Sequence, residues 1–214
     1  MTRLTTQQRF EERTLRSQIK DARDALARKA PPPWRFPALS DFTHYRWVLA
    51  FDATLTNCGW TWFMVTPEGV MVGARGTIRP RTSQVGYLGT WDKARGLAAE
   101  TTPLIERHIR QVPLAALVVE APSVGGSRTE SSLIAGMLVW MDEPEDCVVV
   151  SATHVSAVLL GDPRCKSAER KKRIREAVIR LCPEAAGRDW NEHERDSLAT
   201  GLVHLHDERS SHEQ

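Results

Sequence analysis

The chain has 214 residues, 41% of them hydrophobic and 26% charged, proportions of a globular protein long enough to bury a full core. No stretch approaches ~18 consecutive apolar residues, which excludes a helical membrane span. The opening MTRLTTQQRFEER lacks the apolar core of a signal peptide, so the expected location is cytoplasmic. The net charge of +2 is unevenly spread. Residues 1–46 carry 10 Lys/Arg against 5 Asp/Glu and residues 164–180 carry 8 against 2, which leaves 11 basic and 20 acidic residues elsewhere. An acidic body with two basic segments points to a polyanion partner, set against the plainer reading of solvated helix faces.

In chain order, residues 4–29 read as an amphipathic helix, with Leu15, Ile19, Ala22 and Leu26 on one stripe. Pro31-Pro32-Pro33 ends it, and 31–40 reads as an extended tether. Residues 1–40 are therefore expected to be a basic helical appendage, and 41–214 the main domain. From Tyr45 the period changes. Trp47–Phe51 is a continuous apolar run ending in Asp52, Gly59–Val65 is a second strand and Val70–Ile78 a third, joined by short links. Residues 90–110 read as a helix, Leu114–Val119 as a strand ending in Glu120, 129–141 as a helix and Cys147–Val150 as a fifth strand. Helices are then expected over 153–160, 167–181 and 191–206. Three antiparallel strands followed by strand–helix alternation predict an α/β fold, a five-stranded mixed sheet flanked by helices. The four cysteines form no CxxC pair and are expected to be reduced thiols. Trp47, Trp60 and Trp62 fall in strands and are expected in the core, whereas His204 and His206 are expected on the surface.

Two acids stand apart from the rest. Asp52 and Glu120 each follow a buried strand, where an uncompensated charge is costly. Strand carboxyl ends are also where ligands bind in open α/β sheets. Either acid alone is adequately explained by reaching solvent; the pair points to a site. A third acidic locus lies in Asn191–Ala199. His193 and Asp196 are spaced i, i+3 and share a helix face next to the apolar Leu198, Ala199, Leu202 and Leu205. The helix dipole accounts for Glu192 and Glu194 in the first turn, but less well for Asp196. Oxygen donors from three elements with an imidazole alongside suit Mg²⁺ or Mn²⁺. Two such ions would stabilise the attacking and leaving oxygens of phosphodiester hydrolysis.

Phe51-Asp52-Ala53-Thr54-Leu55-Thr56-Asn57-Cys58-Gly59-Trp60 resembles the opening strand and turn of RuvC-type Holliday-junction resolvases, bacteriophage members in particular. Val118-Val119-Glu120-Ala121-Pro122 is similar to that family's second acidic motif, and Arg195-Asp196-Ser197-Leu198-Ala199 to its C-terminal acidic helix. In order and spacing the resemblance spans residues 47–206. It implies a ribonuclease-H-like fold, a homodimer, and Mg²⁺-dependent nicking of four-way DNA junctions. It implies Asp52, Glu120, His193 and Asp196 as catalytic metal ligands, with Lys171 neutralising phosphate charge. Lys166, Arg170, Lys171, Lys172 and Arg173 are then the expected DNA-binding residues. Ala121–Gly126 holds no aromatic where family members often carry a wedge, which implies cleavage of branched DNA more broadly. The alternative is a non-catalytic ribonuclease-H-like DNA-binding or scaffold protein, although no acid of the pattern is missing. An actin-type ATPase is disfavoured because no glycine follows Asp52 early.

Overall fold

The computed structural model describes residues 34–52, 54, 57–80, 86–113, 115–121 and 147–212. The helices expected over 4–29 and 129–141 lie outside these residues. Within the unit Phe36–Gln214, three runs rich in β-branched and aromatic residues form an antiparallel meander. They are β1 (Trp47–Asp52), β2 (Cys58–Thr66) and β3 (Gly69–Ile78). Two further strands, β4 (Ala116–Ala121) and β5 (Cys147–Ser151), pair in parallel, β4 with β1 and β5 with β4. The order β3-β2-β1-β4-β5 is the mixed five-stranded sheet expected from the sequence. The described α-helices are α1 (Gly86–His108), α2 (Ala152–Leu160), α3 (Ser167–Leu181) and α4 (Glu192–His212). None of them is long and apolar enough to cross a membrane.

The period of two sorts strand residues onto two faces. Val48 and Ala50 of β1 and Ala116 and Val118 of β4 face one core, shared with Val155 of α2, Ile174 and Val178 of α3, and Leu198 and Leu202 of α4. Leu49, Phe51, Leu117 and Val119 face the other, which is covered by Ala94, Leu97 and Ile105 of α1. On this second face Trp47 stacks on Trp62 with ring centroids 4.7 Å apart. Trp62 is buried there, while Trp47 and Trp60 are only partly buried against the core. All four cysteines are free.

Helix α4 is buried far more than one apolar stripe requires. It packs on β1, β2 and β4 and also against α2 and α3, and every residue from Ser197 to Leu205 is buried. His204 is therefore not the surface residue the sequence suggests: it is 9% exposed. Burial penalises its charged form and pushes its pKa down to about 4, with Arg46 adding to the effect. His206 is half-buried, edge-on to Phe42.

Two glycines let α4 lie this close. A Cβ at Gly201 would meet Phe63 Cε1 at 2.7 Å and Ala50 Cβ at 3.0 Å; one at Gly59 of β2 would meet the backbone oxygen of His193 at 2.2 Å. Gly96, in the interior of α1, has only Pro80 at 3.5 Å, an ordinary contact. Gly201→Ala is accordingly expected to lower unfolding stability by about 1–3 kcal/mol through overpacking. Gly96→Ala should raise it by up to about 1 kcal/mol through helix propensity. Urea unfolding of both variants checks the contrast, and equal effects would contradict the seating of α4 described here.

Candidate active site

The same alternation that sends Val48 and Ala50 toward α4 sends Asp52 there, and Glu120 follows Ala116 and Val118. Parallel pairing matches Phe51 with Val119, so the two acids stand side by side one step further along β1 and β4. In the antiparallel direction Asp52 pairs with Gly59, the residue under the first turn of α4. His193 is thereby set directly over β1, its Nδ1 2.7 Å from Asp52 Oδ2. A carboxylate oxygen accepts, so Nδ1 carries the proton. One turn on lies Asp196, and at the next turn Thr200 donates from Oγ1 to Glu120 Oε2 at 3.2 Å.

The start of α4 is pinned by a polar clamp the sequence does not advertise. Asn191 Oδ1 accepts from Glu194 N at 3.1 Å, and Glu194 Oε2 accepts from Asn191 N at 3.3 Å, a reciprocal capping arrangement. Arg75 of β3 donates to Glu194 Oε2 at 2.6 Å, pairs with Asp189, and lies 4.4 Å over the Trp190 ring. Asn191 also reaches Thr77 Oγ1 at 2.8 Å, and Thr61 Oγ1 donates to Glu194 O at 3.0 Å. Glu194 is therefore no solvated first-turn acid serving the helix dipole. It is 5% exposed and ties α4 to the sheet.

Charge at the rim is unbalanced. Burial, first, and then the nearby Asp52 and Asp196 hold the Glu120 carboxyl well above the ordinary carboxylate range, while Arg170 pulls the other way. Burial, Asp52 and Glu192 push Asp196 up to about 7 against the pull of Arg170 and Lys171. His193 is raised chiefly by its hydrogen bond to Asp52. Crowded acids that resist ionisation mark a place that favours added positive charge.

The basic residues of α3 divide into different roles. Arg170 turns inward, donating from Nη2 to Glu120 Oε1 at 3.2 Å and from Nε to Ser156 Oγ at 3.0 Å. Lys171 pairs with Glu192 and is raised by that bond, with smaller contributions from Asp196 and Asp52. Lys166 and Lys172 are exposed, the latter 4.0 Å from Glu176. Arg173 bonds Leu160 O at 3.1 Å and faces Asp162 at 3.5 Å, which makes it a staple of the α2–α3 turn. Thr200 and Ser156 escape sequence reasoning; the only hint is that Thr200 stands i+4 from Asp196.

Asp52, Glu120, His193 and Asp196 form an oxygen-rich set with one imidazole and an excess of negative charge, a donor chemistry that fits a hard divalent cation. Among the described residues, however, no three His, Cys, Asp or Glu side chains converge as a metal-binding group. The Asp52–His193 and Glu120–Arg170 contacts take up the lone pairs such a cation would use.

No protein-family model matches the chain, and no curated protein does. Solved structures do. The chain is similar to Thermus thermophilus RuvC, with 15% identity over 77% of this chain and 96% of that one, at a TM-score of 0.59. It is equally similar to T. thermophilus RuvC in complex with a Holliday junction substrate, with 17% identity over 78% and 97% and a TM-score of 0.58. The likeness establishes a RuvC-like, ribonuclease-H-like fold.

Asp196→Asn is expected to stabilise the protein in chelator-containing buffer. The folded-state pKa of Asp196, about 7, lies above its ordinary value of 3.8. Between those values the folded state holds the extra proton, so wild-type stability falls as pH rises through that window and levels off above it. The asparagine variant lacks this loss. Its advantage should grow from nil near pH 4 to about 4 kcal/mol above pH 7 in thermal melts. A gap that shrinks with rising pH would contradict the crowding of these acids.

Proposed function

We propose that this chain is a structure-selective endonuclease that nicks four-way, and other branched, DNA by metal-dependent phosphodiester hydrolysis. The observation that supports this reading is one rim of the sheet where His193 bonds Asp52 and where Asp52 and Asp196 bear electrostatically on Glu120. Basic side chains of α3 reach into the same place. The RuvC-like fold supports the reading, and so does the order of the acidic motifs along the chain.

Asp52, Glu120, His193 and Asp196 would hold Mg²⁺ or Mn²⁺, as one or two ions that supply Lewis-acid stabilisation of the attacking and leaving oxygens. The chain's own side chains do the remaining work. Asp52 fixes the imidazole of His193, and Thr200 orients Glu120. Lys171, held by Glu192 at the start of α4, adds positive charge against the phosphate. Lys166 and Lys172 extend that charge along the exposed face of α3, where an electrostatic contact to the DNA backbone gives affinity without sequence preference. A four-way junction offers two equivalent strands to be cut. A homodimer with one site per subunit matches that symmetry.

Purified protein should nick a synthetic four-way junction in Mg²⁺ or Mn²⁺ and be inert in chelator. Asp52→Asn should abolish cleavage while leaving junction binding intact or tighter, since one negative charge near the phosphates is gone. His193→Ala should be severely impaired, His193→Asp active, and Glu192→Ala nearly normal. Normal cleavage by Asp52→Asn would overturn the proposal. Lys171→Ala with Lys172→Ala should also flatten the salt dependence of binding, by about 0.9 in the log–log slope per lost phosphate contact.

A further inference from the structure

We propose that Arg170 is a resident counter-ion of Glu120 that a divalent cation displaces, and that its freed guanidinium then joins the phosphate-binding surface of α3. This rests on the metal-dependent nuclease reading. Glu120 has both oxygens engaged, Oε1 by Arg170 Nη2 at 3.2 Å and Oε2 by Thr200 Oγ1 at 3.2 Å. A cation that takes Oε1 must remove the guanidinium from it, because two positive centres repel at that range in a partly buried site. Thr200 is neutral and can remain.

Arg170 is built to move at one end only. Its Nε donates to Ser156 Oγ at 3.0 Å, and Ser156, 1% exposed, is itself anchored on Ala152 O at 3.0 Å. The Nη end is the part that meets Glu120, and the side chain keeps 25% exposure, so it has a way out to solvent. Ser156 is the pivot of this exchange. Arg173, three residues further along the same helix, shows the contrast. It is bonded to Leu160 O and faces Asp162, Glu169 and Cys165, with no site carboxylate among these partners. Arg170 lies at the start of the Arg170–Arg173 basic run, next to Lys171. Release of its guanidinium adds one more positive group where phosphates are expected to approach.

The test is calorimetric titration of Mn²⁺ into the full-length protein without DNA. Arg170→Gln should bind Mn²⁺ about ten- to a hundredfold more tightly than wild type, the worth of one charge-assisted hydrogen bond. Ser156→Ala, which loosens the pivot but leaves Glu120 untouched, should shift affinity the same way by a smaller factor. It provides the reading should Arg170→Gln fail to fold. Junction affinity should fall for Arg170→Gln in Ca²⁺ yet not in chelator. Equal or weaker Mn²⁺ binding by these variants, with a wild type that cleaves junctions, overturns the exchange alone. A wild type that neither binds Mn²⁺ nor cleaves overturns both the exchange and the nuclease reading.

Discussion

The distance between helix α4 and the sheet governs the whole site. His193 can touch Asp52 only because Gly59 offers no side chain beneath the first turn, and Gly201 allows the helix to descend onto Phe63 and Ala50. Close packing of this kind leaves no slack, so the helix has essentially one height and one rotation on the sheet. Arg75, Glu194 and Asn191 then fix its N-terminal end by bonds to β3, two places from β1. The result is a rigid triangle of β1, β4 and α4, with each corner carrying one or more of the acids. The acidic side chains are thereby held in one fixed mutual arrangement.

Packing acids so tightly works against folding. Burial and the nearby Asp52 make both Glu120 and Asp196 harder to ionise, and Asp196 adds to the effect on Glu120. The fold offsets part of this locally, with His193 on Asp52, Arg170 on Glu120 and Lys171 close to Asp196. All three compensating groups come from helices that pack on one face of the sheet. Stability and chemistry thus draw on the same few contacts, and the site is a place where the structure is locally frustrated for functional ends.

Much of this was legible in the residues. The continuous apolar runs Trp47–Phe51 and Leu114–Val119 suffice to put both acids at strand ends, and the i, i+3 spacing of His193 and Asp196 to put them on one helix face. The strands and the last three helices were marked by apolar runs and by their breaks. What stayed hidden were relations across the chain. The partner of Glu194 is a residue 119 positions away and that of Glu120 one 50 away. No local pattern separates a first-turn glutamate that serves the helix dipole from one that anchors a helix to a sheet. His204 was misread for a related reason. Two histidines spaced i, i+2 tell nothing of what lies above the helix, and α4 is covered on more than one side. Arg170 and Arg173 belong to one basic run, yet the turn before α3 captures one and the site carboxylate captures the other.

The position of α4 in the chain carries a consequence for how the protein comes into being. His193 lies 141 residues from Asp52, and α4 follows all five strands. Until α4 has left the ribosome, the sheet face formed by Ala50, Phe63 and Val118 has lost its main cover and the acidic rim lacks two of its four members. Contacts of such long range close late, because loop entropy must be met before they repay it. A nascent or prematurely terminated chain therefore has an incomplete acidic rim and an uncovered apolar face at once. The helix that brings the last acids to the rim is also the one that covers this apolar sheet face, so assembly of the acidic cluster is coupled to the completion of folding.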